Sequence, residues 1–314
     1  MQFSVYQESL IGGRKINQDR MGYSFTRDAL LLLLCDGMGG HLRGEMAATI
    51  AMQTIATLFQ QQATPYVKKP ERFLEDAFLA AHREIHRYRA INNLPETPRT
   101  TIVGCLVQHN TAIWAHCGDS RLYWMRNGQI LARTRDHSRL ETLIAQGKVD
   151  PSERATHPDR NKLFNCIGAP NLPIVEISRR ASLMAGDILL LCSDGLWSVL
   201  PDHVLAQRFA GNTVMRAVPD LLKSAVGIAG KNSDNATALA VMWQGSKELE
   251  DITSISTHTL PVGAVSTTIQ APQDNIAQHA AEDDLFNDDE IEKAIEEIRG
   301  AIQKSSQITS RNSN

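Results

Sequence analysis

Three apolar runs each deliver an aspartate as they end: Leu30 to Asp36, Ile113 to Asp119 and Leu189 to Asp194. A carboxylate set where a buried strand emerges is costly unless its charge is paired or binds a cation. Taken singly, each run also reads as a strand passing into an Asp turn. Together with Asn17-Gln18-Asp19 and Ser233-Asp234-Asn235 they form a set of oxygen donors of the kind that Mg²⁺ or Mn²⁺ requires. The glycines of Asp36-Gly37-Met38-Gly39-Gly40 let backbone approach a ligand closely, and a glycine carbonyl can itself coordinate a hard cation. An EF-hand is excluded, because there is no twelve-residue loop of alternating Asx ending in Glu.

Buried strands are expected over Ala29 to Cys35, Thr101 to Val107, Thr111 to His116, Asp187 to Cys192 and Thr237 to Trp243. Helical spacing of apolar residues marks Gly44 to Gln61 and Glu71 to Ile91. The simplest assembly is a strand-rich α+β domain over residues 1–244 with helices covering the sheets. Residues 245–280 are rich in Ser, Thr, Gln and Pro and read as a flexible linker. An amphipathic helix follows over 281–304, with Ile291, Ala294, Ile295, Ile298, Ala301 and Ile302 on one stripe, and then a disordered tail over 305–314. That helix serves either to pack back on its own domain or to dock a partner.

The bulk numbers narrow the function classes. Of 314 residues, 42% are hydrophobic and 21% charged, and the net charge of −3 gives no basic excess to suit a nucleic-acid partner. Residues 1–14 lack the basic stretch and apolar core of a secretory signal. The longest apolar run, Ala29 to Cys35, is far shorter than the roughly 20 residues of a membrane helix. Five cysteines with no CxxC pair suit a reducing cytoplasm.

Arg14 to Asp19, Asp36-Gly-Met-Gly-Gly-His-Leu-Arg-Gly-Glu45, Gly118-Asp-Ser-Arg121, Ser193-Asp-Gly-Leu-Trp197 and Asp234-Asn235, in that order, resemble the PPM family of phosphatases, the PP2C type, and its bacterial branch most. The resemblance runs from about residue 3 to 243. It implies a β-sandwich of two antiparallel sheets flanked by helices, with a binuclear Mn²⁺ or Mg²⁺ centre that hydrolyses phosphoserine and phosphothreonine in proteins. It further implies that Asp36 bridges two metals, with Asp194 and Asp234 on the first, the Gly37 carbonyl on the second and Asp19 close by. Asp119, with Asp194, matches a third-metal position, and Arg14 matches the arginine that binds substrate phosphate. Phosphoproteins and an opposing Ser/Thr kinase are the implied partners.

Two cations a few ångströms apart can generate a hydroxide for in-line attack on phosphorus, and a guanidinium fork matches the remaining phosphate oxygens. Gln18 stands where many relatives have Glu, which replaces a negative donor by a neutral amide. Met38 stands where animal members carry a histidine assigned as general acid, and a thioether donates no proton. His41 is at a different motif position and reads as structural. Cys117 and Cys192 precede Asp119 and Asp194 by two residues, which suits core packing or soft ligation. The polar stretch 138–173 is expected to form a flap beside the cleft. An inactive scaffold is the alternative, and its mark would be missing ligands, yet Asp19, Asp36, Asp194 and Asp234 are all present.

Overall fold

The computed structural model describes residues 1–39, 43–150, 153–154, 157–160, 162–245 and 255–256. His41, most of the expected linker, the helix over 281–304 and the tail lie outside these residues.

The strand β3 (Ala29–Asp36) shows how the layers arise. Its Leu31, Leu33 and Cys35 pack against α1 (Gly44–Gln62) and α2 (Pro70–Ile91), whereas Leu30, Leu32 and Leu34 face an opposing sheet. A strand covered on both faces needs apolar side chains at every position, and this is why the sequence reads as an unbroken run of leucines. In β10 (Ile188–Cys192), Leu189 and Leu191 join the inter-sheet core while Ile188, Leu190 and Cys192 pack against a second helical layer. That layer holds α4 (Asp194–Trp197), α5 (Asp202–Phe209) and α6 (Val214–Ala229).

One sheet runs β12 (Ile255–Ser256), β1 (Gln2–Leu10), β11 (Ala236–Gly245), β10, β6 (Arg121–Arg126) and β7 (Gln129–Arg133). The other runs β2 (Asp19–Phe25), β3, β4 (Ile102–Gln108), β5 (Thr111–Cys117) and β8 (Glu176–Ile177), with β9 (Ala181–Ser182) also on β5. All pairings are antiparallel. The expected sandwich of two antiparallel sheets between helices is therefore the observed fold. The first sheet reaches past the expected boundary at 244, because Ile255 pairs with Phe3 and packs on the inter-sheet core. Within the expected flap, Ser138 caps α3 (Arg139–Ala145) by accepting the Glu141 N–H.

Antiparallel pairing brings the chemistry to one end. Asp19 pairs directly with Asp36 across β2 and β3, and Ile102 pairs with Cys117 across β4 and β5. In the facing sheet, Cys192 pairs with Ala238 across β10 and β11. The exits of β3, β5 and β10 and the entries to β2 and β11 thus frame one cleft.

Candidate metal centre

The cleft encloses about 530 Å³ and is lined by Arg14, Gln18, Asp36, Gly37, Asp119, Asp194, Asp234 and Asn235, among others. Asp19 stands immediately behind it: Asp19 is 1% exposed, and its Oδ2 accepts a hydrogen bond from Ser193 Oγ at 2.8 Å. Its Oδ1 is buried with no hydrogen-bonding partner. A buried anionic oxygen left bare is expensive in a protein unless a cation or water completes its shell.

The electrostatics point the same way. Burial, then the charges of Asp19, Asp194, Asp119 and Asp234, hold the Asp36 carboxyl well above the usual carboxylate range. Burial, then Asp119, Asp234 and Asp19, do the same to Asp194, opposed by Arg14. Asp119 is pushed up to about 7 by burial and then Asp136. Asp19 is pushed up to about 6, chiefly by burial, although hydrogen bonds from Thr237 and Ser193 pull it back. Carboxyls that resist ionising together because of mutual repulsion form a donor set that hard divalent cations relieve.

The loops that carry these groups are stapled at named points. Asn235 accepts the Gln18 N–H at 2.9 Å and donates to the Ile11 and Ile16 carbonyls at 2.9 and 3.1 Å, so it ties the Arg14–Asp19 segment to the Asp234 loop. Arg14 Nη2 lies 2.5 Å from Asp234 Oδ2, with half of the arginine side chain exposed to the cleft mouth. Gly37 has no room for a side chain: a Cβ there would stand 2.4 Å from the Gly44 carbonyl oxygen. Arg121 grips buried Asp136 with two hydrogen bonds of 2.7 and 2.8 Å and lies 3.6 Å over the Trp197 ring. This pair links the Asp119 turn, the base of the expected flap and the helix that starts at Asp194.

All seven residues expected at the site meet here: Arg14, Asp36, Gly37, Asp119, Asp194 and Asp234 line the cleft and Asp19 backs it. Asn235 and Ser193 stood in the motifs, but their stapling depends on loop geometry that no spacing reveals. Leu163, from the expected flap, forms part of the cleft wall, and Met38 lines it as well. Cys117 and Cys192 face the helical layers and are buried in the apolar cores, which push both thiols up, so soft ligation at the cleft is set aside.

A second cluster fails as a cation site for a specific reason. His116, His137 and Glu176 bring three ligand atoms within 4.8 Å of one another. His116 Nε2 lies 2.7 Å from the Arg135 carbonyl and must carry a proton to bond it. His137 Nδ1 accepts from the Gly118 N–H at 3.3 Å and from Asn165 Nδ2 at 2.7 Å, which leaves the proton on Nε2, facing Glu176 Oε2 at 3.3 Å. Asn165 cannot turn over, since its Oδ1 takes the Ile174 N–H at 3.0 Å. The lone pair a cation would need is absent on His137. The cluster is a clamp between the Asp119 turn and the 163–177 segment.

The sequence matches the protein phosphatase 2C family over residues 7–219. It is similar to the serine/threonine phosphatase stp of Listeria innocua serovar 6a, with 26% identity over 230 residues that cover 73% of this chain and 90% of the relative. To the serine/threonine protein phosphatase PstP of Mycobacterium tuberculosis it is 29% identical over 238 residues, 76% of this chain and 44% of that protein. Among solved structures, Stp1 from Staphylococcus aureus matches at 28% identity and a TM-score of 0.68, covering 77% of this chain and 95% of that one. The catalytic domain of PstP in complex with two manganese ions matches at 27% identity and a TM-score of 0.66, covering 78% and 99% of the two chains.

Proposed function

The chain belongs to the protein phosphatase 2C family, and on that premise we propose that its cleft hydrolyses phosphoserine and phosphothreonine esters of proteins with the help of divalent cations, Mn²⁺ or Mg²⁺. The observation that carries this reading is the convergence of four aspartates on one cleft, with a fifth, Asp19, behind it whose Oδ1 is buried and unpartnered. Cations bound there would activate a water and neutralise charge on the phosphoryl oxygens.

Asp36, Asp194, Asp234 and the Gly37 carbonyl are the groups assigned to hold two such cations, with Asp19 beside them and Asp119 with Asp194 open to a third. Arg14 receives the substrate phosphate. Its Nη2 bond to Asp234 anchors the guanidinium at the cleft mouth, and the planar fork retains donors for phosphate oxygens. Leu163 and Met38 add apolar wall to the cleft. The substrates are phosphoproteins, which makes a Ser/Thr kinase the opposing activity, and five free, buried cysteines suit a reducing compartment such as the cytoplasm. No helix among the described residues is long and apolar enough to cross a membrane.

The test is phosphate release from a phosphothreonine peptide by the purified chain with Mn²⁺, with chelator, and with Asp36→Asn. Turnover confined to the wild type with Mn²⁺ is expected. Turnover that survives both chelation and the substitution refutes the mechanism.

A further inference from the structure

Gln18 is the neutral member of the donor set, and its surroundings decide which end of its amide faces the cleft. The amide lies in a slot between two glycines: a Cβ on Gly39 would come within 2.9 Å of its Oε1, and one on Gly44 within 2.9 Å of its Nε2. Behind the nitrogen stands Glu45, near the start of α1, whose Oε2 accepts from Gln18 Nε2 at 3.0 Å. An ionised carboxylate only accepts, so the amide nitrogen must face Glu45, and the amide oxygen is turned to the Gly39 side. Gly39, Gly37, Asp36 and Gln18 itself all line the cleft.

Resting on the cation reading given above, we propose that Glu45 is a positioning residue of the metal centre: it fixes Gln18 so that Oε1 is presented as a neutral oxygen donor, and it supplies from behind the negative charge that position 18 lacks. Groups that orient a ligand in this way tune metal affinity by about 10–100-fold. Arg20 also faces Glu45 electrostatically, while its own hydrogen bonds go to Thr49 and to the Asn17 and Asp19 carbonyls. The rival role for Glu45 is merely an acid in the first turn of a helix, stabilising the helix start by its charge.

The test separates the two roles by exchanging the residues. Mn²⁺ binding is measured by electron paramagnetic resonance on wild type, Glu45→Ala, Glu45→Gln and the double exchange of Gln18→Glu with Glu45→Gln, alongside thermal melts in chelator. Glu45→Ala is expected to weaken the weaker of the two Mn²⁺ sites by about 10–100-fold. Glu45→Gln, which keeps shape and loses charge, is expected to fall between it and wild type. The double exchange, which keeps one acid and one amide in contact, is expected to regain wild-type affinity. A helix-start role predicts instead that Glu45→Ala lowers the melting temperature and leaves Mn²⁺ affinity unchanged, and that result, or a double exchange that binds no better than Glu45→Gln, overturns the proposal. A wild type that takes up no Mn²⁺ sinks the cation reading itself, and the inference with it.

Discussion

Replacing Asp119 by asparagine should make the metal-free protein more stable, by an amount that depends on pH. Asp119 is 7% exposed, and its carboxyl is pushed up to about 7 by burial, then by the charge of Asp136. An unfolded chain ionises it near the ordinary value of about 4. As pH rises from about 4 the unfolded state gives up its proton first, so the native state loses stability progressively, and the loss is complete above about 7. At about 1.4 kcal/mol per tenfold, the cost to the wild type reaches roughly 4 kcal/mol near pH 8 and only about 1 kcal/mol near pH 4.5. Asparagine keeps the shape and cannot ionise. For a domain of this size, with about 2–4 °C per kcal/mol, the variant should melt on the order of 10 °C higher than wild type near pH 8 in chelator, and about a quarter of that near pH 4.5. Saturating Mn²⁺ should shrink or invert the gap, since a bound cation favours the ionised wild type. Equal melting of the two proteins in chelator near pH 8, or a gap that ignores pH, would refute the electrostatic account of the cleft.

Breaking the grip of Arg121 on Asp136 with Arg121→Ala should cost up to about 3–5 kcal/mol in urea unfolding, because it leaves the buried carboxylate only its longer 3.4 Å contact to Arg154; a cost under about 1 kcal/mol would show that the pair is not a structural link. Asn235→Ala removes the bonds to Gln18, Ile11 and Ile16, at about 1 kcal/mol each, and should lower Mn²⁺ affinity with it. Calorimetric titration with Mn²⁺ checks this, and unaltered affinity would count against the stapling role. A chain cut after Leu260 keeps the Ile255–Ser256 strand and should retain its phosphopeptide rate within about twofold, whereas Ile255→Asp should lower the melting temperature by burying a charge against the inter-sheet core. A rate collapse on truncation would assign the C-terminal segment a part in catalysis.

The legible parts of the fold were those buried on both faces. β3 and β10 announce themselves as apolar runs because helices cover one face and the other sheet covers the second. β1 did not, since its central residues are only half buried and its sequence mixes Gln, Ser, Tyr and Glu with its apolar members. α6 has a clear apolar face through Val214, Ala217, Val218, Leu221, Leu222 and Ala225, yet Pro219 inside it reads locally as a helix breaker. The carboxylates of the site were readable because charged residues at the ends of apolar strands violate the local pattern. Glu45 was not, because an acid in the first turn of a helix satisfies every local rule. What marks it is the amide it faces, 27 residues away in sequence.

That contrast has a physical origin in how the cleft is assembled. Asp19 and Asp36 come from one sheet, Asp194 and Asp234 flank strands of the other, and the two sets meet only when the sheets pack on Leu30, Leu32 and Leu34 against Leu189, Leu191, Leu239 and Val241. Packing that apolar interface drives the carboxyls together against their repulsion. A cation held between the sets would relieve the repulsion and at the same time pin one sheet to the other. Tight cation binding and a stable metal-free fold therefore pull in opposite directions at the same five residues, and an amide at Gln18, backed by the charge of Glu45 one step further from the cluster, moderates that conflict without removing an oxygen from the cleft.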